Sequence, residues 1–438
     1  MKAFFAALSA VALTATVAAA DDLRDTVNQD YPYLDALYKH LHANPELSFK
    51  EEKTAARLVQ EMKDLGFQVT EKVGGHGFVS VLENGDGPTV MVRTDLDALP
   101  VPERTGLPYA SKVKSVEQTG QEVSVMHACG HDVHMTVFIG TARRLVTLKD
   151  QWQGTLVMIG QPAEERGAGA AAMLKDGLFT RFPRPDYNLA WHVNPQLRAG
   201  MVSYVPEFSY ANVDSVDIMV KGIGGHGAYP HTTKDPVVVG AQIVMALQTI
   251  ASREIAAQTP VVVTVGAFHA GAKHNVISDG AHLQLTVRTY ADDTRDQVLK
   301  AIERIAHNTA RVAGLPEDML PEVTVKDEFT PAGYNNPQLT ERISSLLKTK
   351  LGDGNVVRGQ AVMGGEDFAR YGREEPRIPS LMLSLGTISE EKYAAFLKGD
   401  LRLPSLHSSL YAPDPEPSIT TGVYAMTTAV LDLMAVQD

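Results

Sequence analysis

The densest group of chemically reactive side chains lies between residues 127 and 134, in the string HACGHDVH. A thiolate and an imidazole are both good ligands for zinc-like cations, so Cys129 and His131 are the predicted pair. Gly130 between them lets the chain turn so that both side chains reach one ion. Asp132 could orient an imidazole from behind. The alternative is a polar loop in which Asp132 only caps the next helix.

Two adjacent carboxylates, Glu164 and Glu165, follow a strand-like apolar run and the string QPA. Adjacent acidic residues are usually solvated, so the pair alone is a weak signal. Its position strengthens it, because Asp95, Asp97 and His192 also follow separate apolar runs. In an open α/β sheet, sites form beyond the carboxyl ends of strands. One carboxylate could hold a metal while its neighbour takes a proton from water.

Two further histidines are candidate metal ligands only when they are considered together with the groups above. His192 ends an apolar run in AWHV, and His407 lies in LHSS. Taken alone, each is more typical of a satisfied core histidine than of a metal ligand. With the other groups present, both become candidate ligands.

The elements that must position these side chains follow from the apolar pattern. We predict a helix at 135–148 and buried strands at 89–94, 154–160, 187–191 and 381–385. Apolar runs without alternation are typical of a parallel sheet covered on both faces. Strands that alternate with helices are typical of a doubly wound domain. The sequence therefore predicts an α/β catalytic domain with a mostly parallel sheet and helices on both faces.

The middle of the chain has a different pattern. Strands and helices are predicted there in the order β-α-β-β-α-β, at 213–220, 236–250, 260–267, 282–289, 294–312 and 323–325. This order matches the ferredoxin-like motif. We predict an inserted α+β domain over 211–327, with the catalytic domain in two parts, 21–210 and 328–438.

The first twenty residues have the pattern of a secretory signal peptide. Lys2 is followed by an apolar stretch over 4–17 and by three alanines, 18–20, before an acidic pair. We expect cleavage after residue 20, export to a periplasm or medium, and no membrane span. The alternative is an N-terminal membrane anchor.

Charge and cysteine content exclude some classes of partner. The formal net charge is -12 and no stripe of Lys and Arg is visible, which argues against nucleic acid or an anionic membrane. Cys129 is the single cysteine, so no internal disulfide can form. A free thiol in an oxidising compartment needs burial or a metal.

Together these strings resemble a known family of metallopeptidases that contains aminoacylases, hippurate hydrolases and indoleacetyl-amino-acid hydrolases. The resemblance runs over nearly the whole chain after the leader. Its blocks are LHANPELSFKE from Leu41, RTDLDALPV from Arg93, HACGHDVH from His127, QPAEE from Gln161, GGHGAYPHTTKDP from Gly224, NVISD from Asn275, MGGEDFA from Met363 and LHSS from Leu406.

The resemblance implies a role for each matching residue. Glu164 would be the general base, and Asp97 a carboxylate behind the metal site. His226 would stabilise the reacting carbonyl oxygen. Asn275 and Arg288 would bind the substrate, and Arg288 would bind the carboxylate of the substrate. Two divalent metal ions would be held by Cys129, His131, Glu165, His192 and His407.

The resemblance also implies a homodimer, in which the inserted domains pair and His226 acts on the partner's metals. Zinc is the expected metal, with manganese, cobalt or nickel as alternatives. Without the resemblance, Arg288 would be assigned to an ion pair on a strand face, and His226 to a glycine-rich loop. The sequence departs from the family pattern at Ile223, Gly227 and Ser278, which affects loop shape but no proposed ligand.

The sequence thus predicts a two-metal amidohydrolase that cleaves N-acyl or N-aminoacyl amino acids with a free carboxylate. A carboxypeptidase or dipeptidase on the same scaffold is the nearest alternative, because it differs only on the acyl side. A periplasmic metal- or amino-acid-binding protein without turnover would need no base beside the ligands. A serine hydrolase is disfavoured because no G-x-S-x-G string is visible.

Overall fold

The computed structural model describes residues 4–327 and 329–436, with side chains from Leu23 onward. The predicted signal peptide falls on residues whose side chains lie outside this description, so it stays a prediction. The chain forms two compact units. The first comprises residues up to Glu207 together with Asn335–Gln360 and Arg370–Asp438, and the second comprises Phe208–Tyr334 and Ala361–Ala369. The second unit is wider than 211–327 and takes in a segment that the sequence assigned to the catalytic domain.

The helices and strands are numbered along the chain. The helices are α1 Phe4–Ala43, α2 Glu52–Asp64, α3 His131–Thr147, α4 Gly169–Lys175, α5 Leu178–Arg181, α6 Pro236–Thr249, α7 Asp292–Val312, α8 Pro337–Leu351, α9 Ala369–Arg373, α10 Glu390–Lys398 and α11 Pro415–Leu433. The strands are β1 Gln68–Glu71, β2 Phe78–Asn84, β3 Thr89–Asp95, β4 Lys114–Val116, β5 Glu122–Ser124, β6 Gly154–Gln161, β7 Tyr187–Arg198, β8 Val202–Tyr204, β9 Glu207–Tyr210, β10 Asp214–Lys221, β11 Gly225–His226, β12 Val262–Ala270, β13 Val276–Ile277, β14 Gly280–Arg288, β15 Glu322–Val325, β16 Gly333–Asn335, β17 Val356–Arg358 and β18 Ser380–Ile388.

The first unit is built on one eight-stranded sheet with the order β1-β2-β6-β3-β7-β18-β8-β17. Its four central strands, β6, β3, β7 and β18, run parallel. Strands β3 and β6 are buried over almost their whole length, as their unbroken apolar runs predicted. Helix α3 packs on β3 and β7, and α11 packs on α3 and β18. The predicted α/β fold class is confirmed.

The second unit has a four-stranded sheet with the order β12-β14-β10-β15, in which every neighbouring pair is antiparallel. The connectivity β10-α6-β12-β14-α7-β15 with this strand order is the ferredoxin-like arrangement, as predicted. Buried and more exposed residues alternate along β10 and β14. The buried side faces α6 and α7, whose Val239, Ile243 and Ile302 join the core of this unit.

One stretch of the second unit, Pro236–Glu254, is by length and composition apolar enough to cross a bilayer. Ile243, Leu247 and Ile250 of this stretch are fully buried against the sheet. The core of the second unit therefore accounts for part of its apolar character, while Val238 and Met245 of the same stretch are exposed.

Helices α3 and α11 approach closely through glycine. A Cβ atom on Gly140 would lie 2.4 Å from Val423 Cγ2, and one on Gly422 would lie 2.7 Å from Val137 Cγ2. Valine side chains are stiff and cannot swing away cheaply. The absence of a side chain at these two positions therefore allows the short distance between α11 and α3. Helix α3 is the helix that begins at His131.

We expect Gly140→Ala to lower the midpoint of thermal unfolding. Overpacking a filled core costs about 1–3 kcal/mol, which exceeds the roughly 0.5–1 kcal/mol that alanine gains over glycine within a helix. Calorimetry on the purified protein measures the change. Gly354→Ala is the matched control, because a Cβ there meets nothing within 4 Å. Equal midpoints for the two variants would contradict the packing argument.

Candidate active site

The candidate site lies at the carboxyl ends of β3 and β6 and beside β7, where His192 lies within the strand rather than, as the sequence had predicted, after its end. Strand β3 ends at Asp95, and the chain continues to Asp97. Strand β6 ends at Gln161 and is followed by a single 3₁₀ turn, Glu164–Arg166. Helix α3 begins at His131, directly after Cys129 and Gly130. The sheet thus brings together groups that are far apart in sequence.

Five predicted metal ligands converge at this place. Their ligand atoms form two groups, Cys129 with His131 and His192, and Cys129 with Glu165 and His407. Within each group, all ligand atoms lie within 4.8 Å of one another. Cys129 Sγ is 3.6 Å from His192 Nε2, and Glu165 Oε2 is 3.5 Å from His407 Nε2. Cys129 is common to both groups, so the arrangement suits two adjacent cations.

Backbone carbonyls orient two of these imidazoles. The Nδ1–H of His131 donates to the carbonyl oxygen of Asp97 at 2.8 Å. The Nδ1–H of His192 donates to the carbonyl oxygen of Val193, also at 2.8 Å. A ring whose Nδ1–H is engaged in this way directs Nε2 towards the site, and the Nε2 lone pair of the neutral form is what binds a metal.

The donor set fits a divalent cation. His131 Nε2 and Glu165 Oε1 are buried, and neither has a hydrogen-bond partner among the described residues. His131 Nε2 lies 3.7 Å from Glu164 Oε2 and 3.9 Å from Glu165 Oε1. Burial, reinforced by Glu165 and Glu164, raises the pKa of the Cys129 thiol well above its usual range. A cation would reverse this penalty, because thiolate, carboxylate and neutral imidazole would then be ligands.

The turn between Cys129 and His131 requires glycine. Gly130 has φ 76°, in the left-handed region. A Cβ atom at this position would also lie 2.7 Å from Val193 Cγ2. Both the backbone conformation and the packing therefore exclude a side chain between the two ligands.

The turn that carries Glu164 and Glu165 is held by two buried carboxylates. Glu51 Oε1 accepts the N–H of Ala163 at 2.8 Å. Asp97 accepts the next two N–H groups, those of Glu164 and Glu165, at 3.1 Å each. Ala163 has φ 50°, an unfavourable conformation for a residue with a Cβ atom. Three consecutive hydrogen bonds thus stabilise a strained turn that aims both glutamates into the site.

The role of Glu51 was not predicted from the sequence. The residue lies in the block LHANPELSFKE, more than a hundred positions before the turn that it supports. Burial, together with the nearby Asp97 carboxylate, raises the pKa of Glu51 to about 8. The only signal in the sequence was an acidic residue just before a helix, which is common and unspecific.

Two of the three remaining polar residues of HACGHDVH, His134 and Asp132, make structural contacts, whereas both ring nitrogens of the buried His127 lack a hydrogen-bond partner among the described residues. His134 donates through Nδ1 to Asp95 Oδ1 at 2.8 Å and accepts at Nε2 from the N–H of Val193 at 2.9 Å. Burial lowers the pKa of His134 to about 4, so the ring is neutral. Asp132 bonds the imidazole of His42 at 2.6 Å rather than that of a candidate ligand.

The buried imidazole of His42 contacts two carboxylates behind the site. Its Nδ1 bonds Asp132 and its Nε2 bonds Glu103 Oε1 at 3.0 Å. Burial alone would lower the pKa of His42, but these two carboxylates outweigh it and raise the pKa to about 10. The imidazolium therefore joins α1 to the start of α3.

The three other predicted site residues lie in the second unit. His226 and Asn275 are exposed neighbours on the ribbon formed by β11 and β13. Arg288 ends β14, and its Nε donates to Thr286 Oγ1 at 3.1 Å. No carboxylate pairs with Arg288 within the described ranges, since nearby Asp214 is bound by Arg295. The alternative ion pair considered for Arg288 is therefore not formed in this part of the chain.

Comparisons with known proteins identify the family of the chain. Fold and site together define a metal-dependent hydrolase. A family model for "Peptidase family M20/M25/M40" matches residues 91–396, and the chain belongs to this family. The resemblance recognised in the sequence is confirmed.

Individual relatives agree with this assignment. The hippurate hydrolase of Campylobacter jejuni subsp. jejuni serotype O:2 is 36% identical over 335 residues, which cover 76% of this chain and 82% of the relative. Thermostable carboxypeptidase 2 of Saccharolobus solfataricus is 33% identical over 376 residues, covering 85% and 90%. A solved structure of Bacillus subtilis YXEP, described as a dinuclear metal binding peptidase from the M20 family, matches with a TM-score of 0.75 and 27% identity, covering 94% of this chain and 99% of that chain.

These matches establish the general activity. The chain is a hydrolytic enzyme that acts on amide bonds, in a family that binds two metal ions. A binding protein without turnover, considered from the sequence, is not supported.

We expect Glu51→Ala to reduce both stability and hydrolysis. It would leave the buried N–H groups of Phe49 and Ala163 without their acceptor, at a cost of about 1–3 kcal/mol for each unpaired group. Glu51→Gln keeps an acceptor of the same shape and should retain most of the rate. Unfolding midpoints and initial rates measure both effects. Equal loss in the two variants would contradict the view that Glu51 acts as the hydrogen-bond acceptor that supports the turn.

Proposed function

We propose that the protein removes the acyl group from N-acyl or N-aminoacyl amino acids that carry a free carboxylate. The observation that carries the proposal is the position of Glu164. This buried carboxylate lies beside the ligand group, with Oε2 3.7 Å from His131 Nε2, and shares its turn with Glu165. A base next to a ligand is the arrangement that hydrolysis requires.

Cys129, His131, Glu165, His192 and His407 would hold two divalent cations, of which zinc is the first choice and manganese, cobalt or nickel the alternatives. Such cations, when bound, lower the pKa of water towards neutrality and polarise the carbonyl group. Their donor set of one thiolate, three imidazoles and one carboxylate is compatible with all four metals.

Glu164 is the proposed proton carrier. Its carboxylate accepts a proton from the attacking water and returns it to the leaving nitrogen. The hydrogen bond from its own N–H to Asp97 keeps the turn in place during both transfers. Glu165 next to it serves as a ligand instead, because its Oε2 faces His407 Nε2.

His226 is the proposed donor to the carbonyl oxygen. The N–H of Ala228 donates to His226 Nδ1 at 3.0 Å. The neutral ring must then carry its proton on Nε2, which leaves an N–H donor free for an oxygen that becomes negative in the transition state. The ring is exposed in its own unit, so this donor is accessible.

Arg288 is the proposed anchor for the substrate carboxylate. Its guanidinium is half-buried and keeps only a side-chain bond to Thr286 and no carboxylate partner in the described part of the chain. A planar guanidinium binds a carboxylate through two parallel hydrogen bonds. Asn275, on the ribbon with His226, would contact the substrate backbone.

A carboxypeptidase is the second candidate function. The likeness to thermostable carboxypeptidase 2 over 85% of the chain favours it. The carboxylate anchor and the chemistry would be the same, and only the group on the acyl side would differ.

We further propose that the protein is a homodimer in which His226 serves the partner's site. Strand β12 lies at the edge of its sheet, and most of its residues from Gly266 onward are exposed. Helix α6 exposes Val238 and Met245, with Met245 71% exposed, around a shallow apolar depression. An open strand edge beside an apolar helix face is suited to pairing with a second copy.

The two adjacent glutamates should differ in metal content and rate. Glu164→Gln should keep its metals and lose about 10²–10⁴-fold in turnover, since proton transfer by a side chain is worth that much. Glu165→Gln should lose metal as well. Elemental analysis and rates on N-acyl amino acids separate the two roles, with the exposed Glu391→Gln as control.

Chelation of the metal ions should abolish activity, and a rate that persists in verified metal-free protein would refute the proposal.

Mixing inactive chains tests the shared site. His226→Ala and Glu164→Gln chains, refolded together, should regain up to about a quarter of the unmodified rate, because half of random dimers are mixed and each has one intact site. Glu164→Gln mixed with the double variant is the control and should stay inactive. If size analysis shows mixed dimers without activity, His226 does not act across the dimer.

A further inference from the structure

The imidazole of His226 is flanked by exposed apolar side chains. In the β11–β13 ribbon, His226 lies directly opposite Val276. Directly opposed residues of an antiparallel pair point to the same face, with Cβ atoms about 4.5–5.5 Å apart. Val276 is 52% exposed, although most valines of this unit face its core.

Tyr229 is a second exposed side chain close to the same imidazole. The chain turns tightly after His226, because the N–H of Tyr229 donates to the carbonyl oxygen of His226 at 2.8 Å. The turn brings the tyrosine ring to a centroid distance of 5.4 Å from the imidazole. Tyr229 is 58% exposed, so most of its ring is available for contact.

Two backbone N–H groups of the ribbon segment are held by hydrogen bonds, one to a backbone carbonyl oxygen and one to a side-chain carboxylate. Gly227 donates to the carbonyl oxygen of Asn275 at 2.9 Å, and Gly224 donates to Asp279 Oδ1, also at 2.9 Å. The apolar flanks of His226 are therefore a fixed feature of the ribbon. Exposed apolar side chains grouped around a functional group are typical of a binding surface.

The chemistry of the reaction says what these flanks would meet. If His226 Nε2 donates to the scissile carbonyl oxygen, the acyl group is attached to the carbon of that carbonyl. A hydrogen bond to oxygen spans about 3 Å. The first atoms of the acyl group are therefore close to the imidazole ring. An aromatic ring there would be within the 4.5–7 Å range in which ring pairs attract.

We propose that Tyr229 and Val276 form an apolar subsite for the acyl group, and that the enzyme prefers flat or bulky apolar acyl groups to acetyl. The inference rests on the proposed role of His226. Tyr229 supplies a face for an aromatic acyl group, and Val276 adds apolar surface on the face of the ribbon that carries His226. The two candidate functions, amidohydrolase and carboxypeptidase, differ in the group on the acyl side of the amide bond. The proposal assigns recognition of that group to residues of the second unit.

The experiment compares N-acetyl, N-hexanoyl and N-benzoyl derivatives of one amino acid. For Tyr229→Ala, we expect kcat/KM on the benzoyl substrate to fall about 10–100-fold, mainly through KM, because an apolar pocket contact discriminates by that factor. The acetyl substrate should change less than about threefold, since acetyl is too short to reach the ring. Tyr229→Phe should restore the benzoyl preference. Tyr334→Ala is the matched control, because Tyr334 is 45% exposed in the same unit but contacts Phe208 instead of His226.

The outcomes are distinct. An equal fall on all three substrates would mean that Tyr229 only positions His226, and a fall accompanied by loss of dimer would mean that it covers a protein interface. Either result overturns the subsite. His226→Ala should lower all three rates together; if it retains full activity, or the unmodified enzyme cleaves none of the three, the proposed function itself fails and the subsite falls with it.

Discussion

The candidate site depends on the hydrogen bonds made by one residue, Asp97. Its carboxylate accepts the N–H groups of Glu164 and Glu165, and its carbonyl oxygen accepts the Nδ1–H of His131. Asp97 thereby fixes the proposed base, one candidate ligand and the orientation of a second ligand at once. Because Asp97 has no exposed surface, these bonds form in a low-dielectric interior, where they are strong and where an unpaired group is costly. Ser48 donates to the same carboxylate at 2.6 Å and completes its coordination by protein groups.

This arrangement places several acidic groups, among them Asp95, Asp97 and Glu164, in the buried interior. Asp95 is paired with Arg93 at 2.6 Å, and burial is offset there by His131, His134 and Arg93, which hold its pKa well below the usual value. Burial raises the pKa of the Cys129 thiol well above its usual value and raises the pKa of Glu165 to about 7. Two divalent cations would add positive charge beside these groups. Metal binding and the stability of this end of the sheet should therefore be linked.

The residues with proposed roles are divided between the two units. The candidate ligands and the base belong to the first unit, where strand ends and buried carboxylates hold them rigidly. His226, Asn275 and Arg288 belong to the second, on a two-stranded ribbon and at a strand end. If the proposed roles hold, the acyl group and the carboxylate are discriminated by residues outside the unit that carries the candidate ligands and the base. This division is consistent with relatives as different as a hippurate hydrolase and a carboxypeptidase.

Local features were determined by the sequence itself. The unbroken apolar runs of β3 and β6 predicted buried parallel strands, and the order of elements in the middle of the chain predicted the ferredoxin-like unit, because hydrophobic period and turn residues act over short range. The spacing in HACGH predicted ligands on both sides of a glycine. Only the tertiary structure decided which histidines of that string face the cluster: His131 does, whereas His134 is bonded to Asp95 and Val193. It also decided that Glu51 supports the turn before Glu164, and that Ala361–Ala369 joins the second unit. These outcomes depend on hydrogen bonds and packing between segments far apart in sequence, and no local pattern encodes which distant partner a polar group will find.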